Sequence, residues 1–164
     1  MLSFKRSFQR PFVFALALGL FACGSPQSEE SEEVRLIRQN MPGITSGCLD
    51  RIKDGSSMPP VDQCFQMGAP KRWRGLWADY FEGQQFCSAP ATDCDWAEKG
   101  QTVWLSFAKG ARPKGKSPTE TIYQIEFIGR RTWLPGMHGH MGMFTHEIVV
   151  DQIISIHPVA PALN

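Results

Sequence analysis

The residues best suited to chemistry are concentrated in one stretch, Trp133-Leu134-Pro135-Gly136-Met137-His138-Gly139-His140-Met141-Gly142-Met143-Phe144-Thr145-His146-Glu147. Three of the four histidines and three of the seven methionines fall within it. Imidazole and thioether are soft ligands, and a site built from them selects Cu(I). Residues two apart share a face of an extended chain, so His138 and His140 can converge. Met137, Met141, Met143 and His146 complete this candidate metal site. A second account of the same residues involves no ligand. Gly136, Gly139 and Gly142 supply positive φ in successive tight turns, His140 bonds the backbone, and the methionines fill gaps as flexible packing.

The rest of the chain offers less. It contains no G-x-S-x-G, no H-E-x-x-H and no phosphate-binding glycine loop, the motifs that would announce a hydrolase or a nucleotide enzyme. His146 and Glu147 are neighbours on an expected strand, so they point to opposite faces and make a poor acid–base pair. Asp79 and Glu82 are a possible carboxylate pair at a strand end. Lys109, Arg112, Lys114 and Lys116, with Arg130 and Arg131, form a basic group able to meet anionic headgroups or simply to solvate a hairpin.

The elements expected to hold these residues are mostly β. Alternation predicts strands over residues 72–86, with a bulge or bend at Glu82-Gly83, then 102–108, 121–132 and 146–157. Val103, Leu105 and Phe107 should share one face, as should Tyr123, Ile125 and Phe127. Pro158 and Pro161 should end the last strand. Four or five strands with an irregular excursion at 134–144 predict a small antiparallel barrel or curled sheet, OB-like in layout, because such barrels carry an inserted segment between their third and fourth strands. Upstream, 34–40 should form a short helix capped by Ser31, with Glu32 and Glu33 in the first turn, where the helix dipole favours acids. Pro42-Gly43 stops it. The region 34–70 as a whole reads as partly helical and irregular.

The beginning of the chain has a different character. Residues 1–10 carry Lys5, Arg6 and Arg10 and no acid, and residues 12–22 are an 11-residue apolar run. That combination is the pattern of a secretory signal, and the run is shorter than the roughly 20 residues of a spanning helix. It ends in Leu20-Phe21-Ala22-Cys23-Gly24, which resembles the lipobox of bacterial lipoprotein precursors. The resemblance implies cleavage before Cys23, acylation of its thiol and new amine, and a protein anchored in the cell envelope by lipid. Gly24 in place of Asp favours the outer membrane over the inner. Residues 23–33 then form the lipidated cysteine and an acidic tether with no large apolar residue, which cannot bury surface.

With residues 1–22 set aside, 142 of the 164 residues remain, one domain in length. Three of the 17 basic residues go with the signal, leaving 14 against 16 acidic and a net charge of −2. A net negative charge gives no general attraction to nucleic acid. Setting Cys23 aside also leaves an even number of cysteines, Cys48, Cys64, Cys87 and Cys94. In an exported chain these read as disulfides. Of the three possible pairings, Cys48–Cys64 and Cys87–Cys94 close the shortest loops. Zinc is the rival, but no C-x-x-C is present.

The stretches Arg74-Gly75-Leu76-Trp77-Ala78-Asp79-Tyr80-Phe81-Glu82-Gly83, Phe127-Ile128-Gly129-Arg130-Arg131-Thr132, Gly139-His140-Met141-Gly142 and His146-Glu147-Ile148-Val149-Val150-Asp151 resemble a group of uncharacterised small exported bacterial proteins. That likeness implies a module and no mechanism. In ligand types alone, the histidines, methionines and tryptophans are also similar to those of small periplasmic copper-binding barrels. The expectation is a signal peptide (1–22), a tether (23–33), a disulfide-pinned region (34–70), a β domain (71–158) and a tail (159–164). Such a protein would bind an envelope protein or a small ligand without a cofactor, the alternative being a copper-binding protein.

Overall fold

The computed structural model describes residues 30–80, 83–94, 103–113 and 121–161. The segment expected to be a signal (1–22), Cys23, most of the expected tether, Glu82, Lys114 and Lys116 lie outside these residues. Three short helices come first: α1 (Glu32–Asn40), α2 (Ser46–Lys53) and α3 (Val61–Cys64). Ser31 caps α1 as expected, its hydroxyl accepting from the Val34 amide at 3.4 Å, and the helix begins two residues earlier than periodicity implied. Cys48 of α2 and Cys64 of α3 are joined, and Ile44, Phe65 and this disulfide make a small core of their own. Among the described residues no helix is long and apolar enough to cross a membrane.

Five strands follow: β1 (Lys71–Asp79), β2 (Gln84–Ser88), β3 (Val103–Phe107), β4 (Thr121–Arg131) and β5 (His146–Pro161). They close into a barrel in the order β1-β2-β3-β5-β4, with β4 returning to β1. The alternating apolar residues meet inside it. Trp77, Phe86, Val103, Leu105, Ile125, Phe127, Ile148 and Val150 form one buried cluster, each worth roughly 1.5–3 kcal/mol on burial. Phe107 and Tyr123 pack at its margin. The second disulfide, Cys87–Cys94, ties β2 to the loop after it and closes a satellite cluster with Ala78 and Ile122.

Three expectations need correction. The barrel is mixed rather than wholly antiparallel, because β3 and β5 run parallel, Val103 opposite His146 through Phe107 opposite Val150. Only closure between strands distant in sequence creates that pair, so no local pattern announces it. The strand expected over 72–86 is a hairpin, its chain reversing where Tyr80 and Gly83 exchange backbone hydrogen bonds. The last strand runs past Pro158 to Pro161, pairing there with Tyr123 and Thr121 of β4. Beyond Val150, β5 has only β4 as a partner, and a proline is tolerated where its missing N–H faces no neighbouring strand.

Candidate functional site

The helical region meets one end of the barrel through the segment between β4 and β5. That segment turns back on itself: His138 bridges Phe144, and residues His140–Gly142 form one turn of 3-10 helix. Its backbone bonds reach α1, with the Met137 amide donating to the Asn40 carbonyl at 2.8 Å. On the barrel side Arg130 at the end of β4 donates to Asp151 of β5 at 2.7 Å and to Asp62 of α3 at 3.1 Å, which locks the helices against the sheet. These two acids hold the Arg130 guanidinium above its ordinary pKa.

Between these parts lies an open cleft of about 490 Å³. One side is Met58, Pro59, Pro60, Val61 and Phe65 with the Cys48–Cys64 bridge. Met41, at the end of α1, packs with that group, and Trp104 of β3, Glu147 of β5 and Met137, His138, Gly139 and Gly142 of the turn complete the lining. Close contacts shape the floor. The Trp104 ring packs edge-on against Phe144 at 5.0 Å, and Phe65 meets the His138 imidazole edge-on at 4.9 Å. Gly139 lies flat on Trp104, and any Cβ there would sit 2.7 Å from the indole.

Two polar side chains line this otherwise apolar cleft, His138 and Glu147. Both are buried, at 4% and 8% exposure. Burial pushes the His138 pKa down, against the Leu134 carbonyl, which favours the charged ring. Its Nε2 is buried without a hydrogen-bond partner among the described residues. Burial pushes the Glu147 carboxyl up, opposed by hydrogen bonds from the Ser106 hydroxyl and the Gly139 amide. Each group is therefore driven toward its neutral form, as a low-dielectric pocket requires.

The residues that the sequence grouped as metal ligands differ in their surroundings. His138 and Met137 line the cleft. His146 is buried elsewhere, its Nδ1 3.2 Å from both the hydroxyl and the carbonyl of Thr132. Its pKa is lowered by burial and by Arg131. Met141 and Met143 are turned outward, 78% and 53% exposed, and His140 is half-buried in the 3-10 turn. Among the described residues no three His, Cys, Asp or Glu side chains are grouped to hold a metal ion. His146 and Glu147 point to opposite faces, as adjacent strand residues must.

The glycine expectation was partly right. Gly139 and Gly142 have φ of +66° and +70°, but Gly136 does not have positive φ. It is glycine because a Cβ would lie 2.9 Å from Pro42 Cδ. Met141, at φ 52°, takes the third left-handed position instead.

No known protein family, curated protein or solved structure matches this chain. The site therefore rests on its geometry. Sequence reasoning overlooked Met41, Met58, Phe65 and Trp104, which come from four separate places in the chain. Glu147 was considered only as a partner for His146. A carboxylate directly before the apolar run Ile148-Val149-Val150 of the last expected strand was the available signal that it is buried.

Proposed function

We propose that this protein is a lipid-anchored module of the bacterial cell envelope, held through Cys23, that binds a small apolar ligand in the cleft between its helices and its barrel. The cleft carries this reading. Its volume of about 490 Å³ falls within the range of roughly 300–1,000 Å³ typical of ligand sites, and an apolar lining with few polar groups is their usual character. His138 and Glu147, both driven toward neutrality, present hydrogen-bonding capacity without charge. They favour an uncharged ligand with one polar group over a carboxylate or an amine.

A neutral, environment-sensitive dye such as N-phenyl-1-naphthylamine tests the cleft. One saturable site is expected, with Trp104 emission changing in parallel, and Met137→Glu at the mouth should abolish it. Undiminished dye binding in that variant refutes the site. For the anchor, labelled palmitate should enter the parent and not Cys23→Ser, and incorporation into the variant refutes it.

One observation favours a second reading. The cleft is lined by Met41, Met58 and Met137 together with His138, whose Nε2 is without a hydrogen-bond partner among the described residues. This donor set suits Cu(I); it keeps Met137 and His138 of the ligands that sequence proximity grouped and adds Met41 and Met58. Competition with a Cu(I) chelator distinguishes the two. Binding tighter than micromolar that is lost in His138→Ala supports copper, and the absence of such binding leaves the apolar ligand alone.

A further inference from the structure

A second hollow, of about 200 Å³, lies at the junction of 66–68 with the end of β4, lined by Gly68, Lys71, Trp73, Arg131 and Trp133 among others. The backbone builds its walls. The Gly68 amide donates to the Arg131 carbonyl and the Trp133 amide to the Gln66 carbonyl, each at 2.8 Å. The Trp73 indole N–H donates to the Gly129 carbonyl at 3.0 Å, and the Lys71 ammonium rests 3.8 Å above the centre of the Trp73 ring. Both the aromatic wall and the ammonium are thus positioned in advance.

The charges here differ from those elsewhere on the barrel. Arg72 and Arg74 share Glu126, and Arg130 holds Asp62 and Asp151. Among the described residues, neither Lys71 nor Arg131 has an acidic partner within 4.0 Å. A guanidinium and an ammonium lining one hollow match the oxygens of a phosphate group. Trp133, which lines the same hollow, is 62% exposed, and its chain neighbour Leu134, which lines a second hollow that shares Thr132 with the first, is 41% exposed. An indole with an apolar body and a polar N–H is suited to the headgroup level of a bilayer.

We propose that this face docks on a phospholipid surface, Lys71 and Arg131 taking the phosphate of one lipid headgroup while Trp133 and Leu134 seat at the interface. The occupant follows from charge complementarity. An apolar protein partner would cover Trp133 and Leu134 but leave both cations unanswered. Free phosphate would answer the cations but leave the indole in water. The proposal is independent of the cleft and of the acyl anchor, and it adds a second contact that would orient a tethered domain on its membrane.

The test uses the full chain and dihexanoylphosphatidylglycerol below its micelle-forming concentration, followed by tryptophan fluorescence. Inorganic phosphate serves as the parallel probe. Saturable binding to the lipid is expected, at least tenfold tighter than to phosphate. Lys71→Gln and Arg131→Gln should each weaken it about fivefold, the usual contribution of one cation near an anionic surface. Trp133→Ser, at an exposed position that leaves the fold intact, should weaken lipid binding and leave phosphate binding unchanged. Equal affinity for lipid and phosphate marks a free-anion site and overturns the proposal. So does lipid binding that survives in Trp133→Ser or in both cation variants, and so does no saturable lipid binding at all.

Discussion

Replacing Gly139 with alanine should damage the fold and the cleft more than Gly110→Ala or Gly136→Ala, because both its backbone conformation and its packing exclude a side chain. Gly139 has φ 66° and ψ −159°, a region essentially confined to glycine, where a side chain costs about 1–3 kcal/mol. Its new Cβ would also lie 2.7 Å from two atoms of the Trp104 ring and 2.8 Å from Phe144 Cδ2. Overpacking against rings packed edge-to-face costs about 1–3 kcal/mol more. The sum is about 4 kcal/mol, a large part of the roughly 5–15 kcal/mol that holds a typical domain together. Two other glycines separate the contributions. Gly110 has φ +86° with nothing within 4 Å of a Cβ, so Gly110→Ala bears only the backbone cost, about 1–2 kcal/mol. Gly136 lacks positive φ, and its Cβ would meet Pro42 Cδ at 2.9 Å. Gly136→Ala therefore bears only the overlap, about 1–2 kcal/mol. Urea unfolding with the disulfides intact, read by near-ultraviolet circular dichroism, measures all three. If Gly139→Ala costs no more than Gly110→Ala, the packing of Gly139 on Trp104 is not what shapes the floor of the cleft.

Three further outcomes are expected. Burial raises the Glu147 pKa in the folded chain, so its contribution to stability is full below the unfolded carboxylate range and is lost as pH rises through the folded value. Glu147→Gln should accordingly gain stability relative to the parent as pH rises above 4.5, by about 1.4 kcal/mol for each tenfold difference in proton affinity; a pH-independent difference in unfolding free energy would contradict this. His138 and His146 have folded pKa values lowered by burial, so their contribution is present above the ordinary histidine range and lost as pH falls through the folded values. In the Glu147→Gln background, unfolding free energy should drop as pH falls below 6.5, and a profile that stays flat refutes the burial of two neutral imidazoles. Finally, Cys48–Cys64 closes a separation of 16 residues and Cys87–Cys94 one of 7, worth about 3 and 2 kcal/mol in the chain-entropy account. Replacing the first pair by serine should also weaken dye binding, because Cys64 lines the cleft, whereas replacing the second should not; equal effects on binding would refute the placement of the site.

Much of the architecture was legible from the order of residues because the forces involved are local. Ser31 followed by two acids marks a helix start whatever lies around it, and the structure places the cap there. The alternation of Val103 with Leu105 and of Ile125 with Phe127 assigns their inward faces, since one side of a small barrel's sheet must be dry. Pairing each cysteine with its nearest neighbour succeeded because short loops cost least to close. The parallel β3–β5 pair and the cleft were not legible, because both depend on segments far apart in the chain.

The segment 133–147 shows where the division falls. Sequence alone determined that this stretch is irregular, since it is too rich in glycine for a continuous strand, and that it concentrates the imidazole and thioether groups. Composition cannot direct side chains, and proximity along a tightly turning chain does not mean convergence in space. Tertiary structure decided that His138 enters the cleft, that His146 is held by Thr132, and that Met141 and Met143 face outward. It also decided that their places in the cleft are taken by Met41, Met58 and Glu147, from the end of a helix, a proline-rich loop and the second residue of the last strand. The physical reason is closure of the barrel. Once β5 returns alongside β3, Glu147 lies opposite Trp104, and the space above that pair is enclosed by whatever the disulfide-pinned helices place over it.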